Sequence, residues 1–295
     1  MRTKKLALAA IGAVLMGTAL AASPSATAAT GGNGVCETGE FCLYYNSNQA
    51  GSMVDLGSGR KDYGTGSGCV KFVSAGSGRG LCVKNNAASV WNRESAVVTV
   101  FYKSNWAGSV DAIGSGSKAN LNGNLKNDNA GHVVGRVGNS TLGSGVYHAG
   151  GSRITAYFDG YRSTSGRHEG IDLAKGVGAD VYALLGGTVT RVTEGAAGSG
   201  GLSQIAVYNS TLNRTVVYLH TNPLDSVDTG DTITKGQRIA TESWRGISSS
   251  SAAHTHVEMR VGRQTSAATS VGDPTLTNPV PTQFWMDRGY NICCD

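Results

Sequence analysis

His254-Thr255-His256-Val257-Glu258-Met259-Arg260-Val261 is the stretch that decides how the second half of this 295-residue chain is read. Apolar and polar residues alternate along it, the period of a β-strand with one buried face. His254, His256, Glu258 and Arg260 then share one face. Thr255, Val257, Met259 and Val261 share the other, which suits a core. Two imidazoles two residues apart aim at a common point, as a metal site requires. A pair of solvated histidines on an exposed strand has the same pattern, so the octet alone does not choose between them.

Upstream, Tyr218-Leu219-His220 ends another apolar run. Arg167-His168-Glu169-Gly170-Ile171-Asp172 places an imidazole and a carboxylate with three residues between them, both good zinc ligands. The same letters permit a helical motif, with Glu169 as a general base. Gly170 inside it and flanks without a 3.6-residue period speak against a helix. Asp180–Leu184, Gly187–Val192, Gln204–Tyr208 and Thr215–Leu219 read as further strands, separated by short turns rich in Gly or Asn. With 43 glycines and no long amphipathic helical segment, the expected class is mostly β.

Taken in order, His168-Glu169-Gly170-Ile171-Asp172, Tyr218-Leu219-His220 and His254-Thr255-His256 resemble the His-x-Gly-Ile-Asp, Tyr-x-His and His-x-His motifs of lysostaphin and LytM-type zinc peptidases, peptidase family M23. Gly178–Ala183, Gly187–Val189 and Asp228–Gly236 match the family's context, and the resemblance covers roughly residues 150 to 276. It implies an antiparallel-β LytM-type peptidase domain over 148–295. It makes His168, Asp172 and His256 the ligands of one Zn2+ per chain, a site of formal charge +1 that acts as a Lewis acid. It makes His220 and His254 the pair that activates water, stabilises the tetrahedral intermediate and protonates the leaving amine. The implied substrate is bacterial peptidoglycan, cut in a cross-bridge or a stem peptide. Two departures bear on substrate preference: the loop Trp244–Ala253 is Ser/Ala-rich and lacks a Pro, and Thr255 stands where the family usually has Leu.

The first half carries a weak internal repeat. Phe41-Cys-Leu-Tyr-Tyr-Asn-Ser-Asn-Gln-Ala-Gly51 is similar to Val100-Phe-Tyr-Lys-Ser-Asn-Trp-Ala-Gly108. Cys36 through Tyr44, Ser89-Val90-Trp91-Asn92-Arg93 and Asn127-Asp128 resemble the peptidase inhibitor family I36, of βγ-crystallin-like fold, over residues 33–134. The expectation is a Greek-key sandwich that inhibits, targets the wall, or stabilises the protein, and that can touch the peptidase groove of its own chain. Asn85-Asn86, Ser89 and Asn127-Asp128 also resemble βγ-crystallin Ca2+ loops, but Val90 and Gly131 replace expected serines, so structural turns are the favoured reading. Residues 135–147, short, small and polar, read as a linker. Cys36, Cys42, Cys69 and Cys82 are expected to form two disulfides, Cys36–Cys42 and Cys69–Cys82, out of three possible pairings. Cys293 and Cys294 stay open.

Residues 1–28 read as a signal peptide: Arg2, Lys4 and Lys5, an apolar run Leu6–Ala22, then Ala26-Thr27-Ala28. The expected location is secreted, extracellular or cell-wall associated. Those three cations supply +3 of the net +5, so the remainder is nearly neutral. Without a basic run or interleaved aromatics, nucleic acid is not an expected partner. No transmembrane segment is expected after signal cleavage. Two alternatives stand beside the wall hydrolase: a non-catalytic protease- or wall-binding protein, and a zinc peptidase acting on Gly-rich proteins.

Overall fold

Alternation with a period of two organises both halves of the chain. The computed structural model describes residues 31–136 and 140–292. The signal segment 1–28 and the Cys293–Cys294 pair lie outside the described residues. Among the described residues, no helix is long and apolar enough to cross a membrane.

In the first half the strands are β1 Phe41–Tyr44, β2 Met53–Leu56, β3 Ser89–Asn92, β4 Val98–Lys103, β5 Ala107–Ile113, β6 Lys118–Asn120 and β7 Gly131–Val134. They make two sheets, of order β2-β1-β3-β6 and β5-β4-β7. β6, from the second repeat copy, pairs with β3 of the first sheet, a Greek-key exchange between copies. Phe41, Leu43, Val54, Val90, Val98 and Val100 share the core. The repeat holds at the level of the backbone. Asn48 and Gln49 have φ of 59° and 55°, Asn105 and Trp106 have φ of 63° and 62°, and Gly51 and Gly108 follow at 75° and 79°. Both copies thus turn through the same left-handed pair, the twist that joins antiparallel strands well.

Disulfides join Cys36 to Cys42 and Cys69 to Cys82. The segments that resemble calcium loops serve as turns. Asn85 and Asn127 are left-handed, Asn86 Nδ2 donates to the carbonyls of Cys82 and Lys84, and Ser89 Oγ donates to Asn46 O.

The second half runs β8 Ser140–Thr141, α1 Leu142–Tyr147, β9 Arg153–Ala156, β10 Ile171–Ala174, β11 Asp180–Tyr182, β12 Gly187–Thr193, β13 Gln204–Asn209, β14 Arg214–Leu219, β15 Asn222–Pro223, β16 Thr232–Ile233, β17 Arg238–Thr241, β18 Thr255–Val261, α2 Thr282–Met286 and β19 Tyr290–Asn291. Seven strands form an antiparallel sheet of order β16-β12-β13-β14-β18-β10-β9. One face presents Ile205, Val207, Val216, Tyr218, Val257, Met259, Ile171 and Leu173 to the main core. Cross-strand partners share a face. Ala206↔Val217, Val217↔Glu258, Leu219↔His256 and His256↔Asp172 therefore line up on the other one.

The structure corrects two expectations, the linker and the inward Val261, and decides the open readings of the histidine strand and of the first motif. Residues 135–147 are not linker throughout: Leu142, Val146 and Tyr147 of α1 are buried in the second half's core. Tyr147 Oη lies 2.6 Å from both Leu173 O and Glu242 Oε2. The face bearing His256, Glu258 and Arg260 is buried rather than solvated, while Val261, expected inside, is 47% exposed at the strand end. His168-Glu169-Gly170 is irregular chain leading into β10 and not a helix, as the glycine and the missing helical period led one to expect.

The halves meet through specific contacts. Phe101, Trp106, Val110 and Val133 pack with Met286 and Tyr157. Lys103 pairs with Asp159 at 2.7 Å, Gly108 N donates to Phe158 O, and Thr282 Oγ1 donates to Trp106 O.

Candidate metal centre

Three adjacent central strands position the histidines. In the pairing of β10 with β18, Asp172 sits directly opposite His256. In the pairing of β14 with β18, Leu219 sits opposite His256, so His220 emerges just beyond the strand end, beside His254. His220 has φ 63°, a left-handed exit that few non-glycine residues adopt. Tyr218 of the same motif faces the core, where its hydroxyl accepts from Leu184 N at 2.7 Å. His168 reaches the cluster from the chain before β10.

His168 Nε2 lies 3.1 Å from Asp172 Oδ1 and 3.1 Å from His256 Nδ1, and His256 Nδ1 lies 2.7 Å from Asp172 Oδ1. All three residues are buried, with one potential ligand atom each within 4.8 Å of the others. His254 Nε2 is 3.4 Å from the same carboxylate oxygen. The His220 and His254 rings are 4.7 Å apart.

The opposite ring nitrogens are tied down. His168 Nδ1–H donates to Tyr157 O at 2.7 Å, His220 Nδ1–H to Arg245 O at 2.9 Å, and His254 Nδ1–H to Ala252 O at 2.8 Å. Carbonyl oxygens can only accept, so each of these rings turns its Nε2 lone pair toward the site. His256 is reversed, with Nε2–H toward Glu258 Oε1 at 3.1 Å and Nδ1 inward. In that tautomer, lone pairs from His168, His256 and Asp172 converge on one point, an arrangement that a cation would satisfy. Tetrahedral zinc with ligand bonds of about 2.0–2.1 Å sets its ligand atoms about 3.3 Å apart, close to the spacings here. The residues fit a zinc ion.

Electrostatics agree with the geometry. Burial opposes the charge on Asp172, yet the adjoining His168 and His256 outweigh it and hold the carboxyl well below its usual range. Burial also disfavours a charged His256, but Asp172 and Glu258 push it up to about 10. Without a metal the ring carries a proton, and the same field would favour a cation in that proton's place. His220 is pushed down to about 4 by burial and then by the neighbouring His254.

Gly170 explains itself here. A Cβ on it would lie 2.5 Å from His256 Nε2 and 2.6 Å from Val257 O, so only glycine lets this ring pack on the backbone. Two participants escaped the sequence reading. Tyr161 stacks on His168 with ring centroids 4.6 Å apart, and burial, then Asp172, push its hydroxyl up to about 12. Glu258 contacts His256 from the far side of the site. The signal for Glu258 was its place two residues after His256 on the same face. Tyr161 carried no motif. Glu169 is buried and accepts from Thr277 N and Asn278 N, which makes it an anchor for that segment.

A groove of about 420 Å3 runs past this centre, lined by Tyr161, Leu202, Leu219, His220, His256 and the segment Ser266–Val271 among others. Arg245, whose carbonyl orients His220, is itself anchored to Glu194 O at 2.7 Å and to Asn222 Oδ1.

Residues 166–268 match the model of peptidase family M23, and residues 29–113 match that of peptidase inhibitor family I36. The two resemblances read from the motifs are thereby shown, and the second half carries a peptidase sequence. No curated protein matches the chain significantly. Similar solved structures include LytU, at 29% identity over 47% of this chain and 89% of that one, with a TM-score of 0.37. The catalytic domain of lysostaphin from Staphylococcus simulans follows at 22% identity over 45% and 90%, with a TM-score of 0.36. A structure bearing on the eye lens βγ-crystallin domain fold shows 17% identity over 35% and 93%, with a TM-score of 0.28.

Proposed function

We propose that residues 148–295, together with α1, form a zinc-dependent endopeptidase that hydrolyses peptide bonds of bacterial peptidoglycan. In this reading the chain is exported through the signal 1–28 and carries an inhibitor-like or wall-targeting domain over 33–134. The observation that carries it is the convergence of His168 Nε2, Asp172 Oδ1 and His256 Nδ1 beside an open groove, within the segment that matches a peptidase family. The two disulfides support export, because such bonds persist in oxidising compartments.

A zinc ion bound by these three residues supplies Lewis acidity and makes water nucleophilic near neutral pH. The chain's own groups do the rest. His220 is held neutral at physiological pH, so its Nε2 can take a proton from the attacking water. His254, with its Nδ1 fixed on Ala252 O, presents Nε2 to the developing oxyanion and to the leaving amine. Leu202 and Val271 flank the groove and help to exclude water from an extended peptide.

The test is digestion of purified peptidoglycan with the full chain, with and without a zinc chelator, with products read by mass spectrometry. New chelator-sensitive amino termini identify both the activity and the bond. Cleavage of Gly-rich proteins alone would move the reading to a protein substrate. For residues 33–134, Lys103→Ala tests restraint through contact with the second half. Raised activity marks an inhibitor, whereas unchanged activity with tight wall binding marks a targeting domain.

A further inference from the structure

We infer that Glu258 is a positioning residue for the metal centre, fixing the proton of His256 on Nε2 and so presenting Nδ1 to His168 and Asp172. This rests on the zinc reading above. Three of the four site imidazoles are oriented by backbone carbonyls. His256 faces a side chain instead: Glu258 Oε1, at 3.1 Å. Glu258 is fully buried, on the face it shares with Val217 and Ala206. An apolar residue would fill that face without the cost of desolvating a carboxylate.

The surroundings also require a carboxylate. Oε1 faces the His256 N–H, while Oε2 accepts from Ala268 N at 2.9 Å and from Asn278 Nδ2 at 3.1 Å. Every partner donates. Asn278 cannot flip to relieve this, because its Nδ2 also donates to Glu169 O and its Oδ1 accepts from Arg260 Nε. A glutamine would turn its own NH2 toward one of these donors, and the collision would release His256 or the segment around Ala268. Glu258 thus ties a metal ligand to the wall of the groove.

Zinc affinity of the full chain, measured against a chromophoric chelator, tests the assignment for wild type and Glu258→Gln, alongside the visible spectrum of the cobalt-substituted protein. The expectation is one zinc per wild-type chain, an affinity about 10- to 100-fold weaker in the variant, and an altered cobalt spectrum. The metal-free variant would melt somewhat lower, because a buried donor loses its acceptor, and the cobalt spectrum reports the ligand geometry apart from that loss. Equal affinity and identical spectra would overturn the inference and leave the zinc reading intact. A wild type that binds no zinc would overturn both. If Glu258→Gln does not fold, Asn278→Ala removes one donor holding the carboxylate. A several-fold loss of affinity supports the role, and unchanged affinity refutes it.

Discussion

The two halves bury polar groups for different ends. In the first, the buried Asp55, Asn92 and Asn129 answer the backbone: Asp55 accepts from the amides of Gly32, Asn33 and Gly34, Asn92 Nδ2 donates to three carbonyls, and Asn129 Nδ2 donates to two. These groups close turns and pin strands. In the second, His168, Asp172 and His256 are equally buried but point at one another. Polar groups placed for structure find donors and acceptors in the chain. Polar groups whose lone pairs meet only each other lack a partner that the chain cannot supply. That distinction, more than burial itself, separates a site from a scaffold.

Removing a converging group should have the largest effect. His256→Ala is expected to lower the proposed wall-hydrolysing activity by about 10^3-fold or more, measured as released amino termini, because on the zinc reading it removes one of three protein ligands of a Lewis-acid centre. Wild-type-like activity would mean that the cluster is scaffold after all. Gly170→Ala comes next. Its Cβ would sit 2.5 Å from His256 Nε2, displacing the ring, and a loss of zinc affinity of about 10-fold or more is expected by chelator competition.

In the first half, losses should appear as stability. Cys69→Ser should cost about 3 kcal/mol, seen as a lower denaturation midpoint, since the closed loop spans a sequence separation of 13. His132 is a sharper probe. Burial pushes its folded-state value down to about 3 from an ordinary 6.5. A base depressed by folding contributes stability that is present above pH 6.5 and lost as pH falls from there toward 3. The expected slope is about 1.4 kcal/mol per pH unit over that window. A first half equally stable at pH 7 and pH 4.5 would contradict it. The smallest effect should come from Glu169→Gln. Its carboxylate accepts backbone amides outside the site, so activity should stay within about tenfold of wild type, with a cost of about 1 kcal/mol in melting. A fall of several orders would instead make it a reacting base.

Sequence carried the strands and the histidine geometry because both follow from local alternation. His256 and Val257 lie on opposite faces whatever the rest of the chain does. The left-handed turns at Asn48-Gln49 and Asn105-Trp106 were latent in the repeat for the same reason. What escaped depends on distant chain. α1 has Gly143, Ser144 and Gly145 among its six residues, poor helix formers held by packing. A Cβ on Gly145 would come within 2.5 Å of Tyr290. Sequence placed Glu258 on the histidine face but gave it no role, because the segment carrying Ala268 and Asn278 that covers it lies far along the chain. The covering segment is far from Glu169, which anchors it, so no local pattern announces it.

The most direct test of a zinc site at His168, Asp172 and His256 is the metal content of purified full-length protein after equilibrium dialysis against low free zinc, for wild type and His256→Ala. One zinc per wild-type chain and none in the variant is the expected result. Equal content in the two proteins, or none in either, would contradict it.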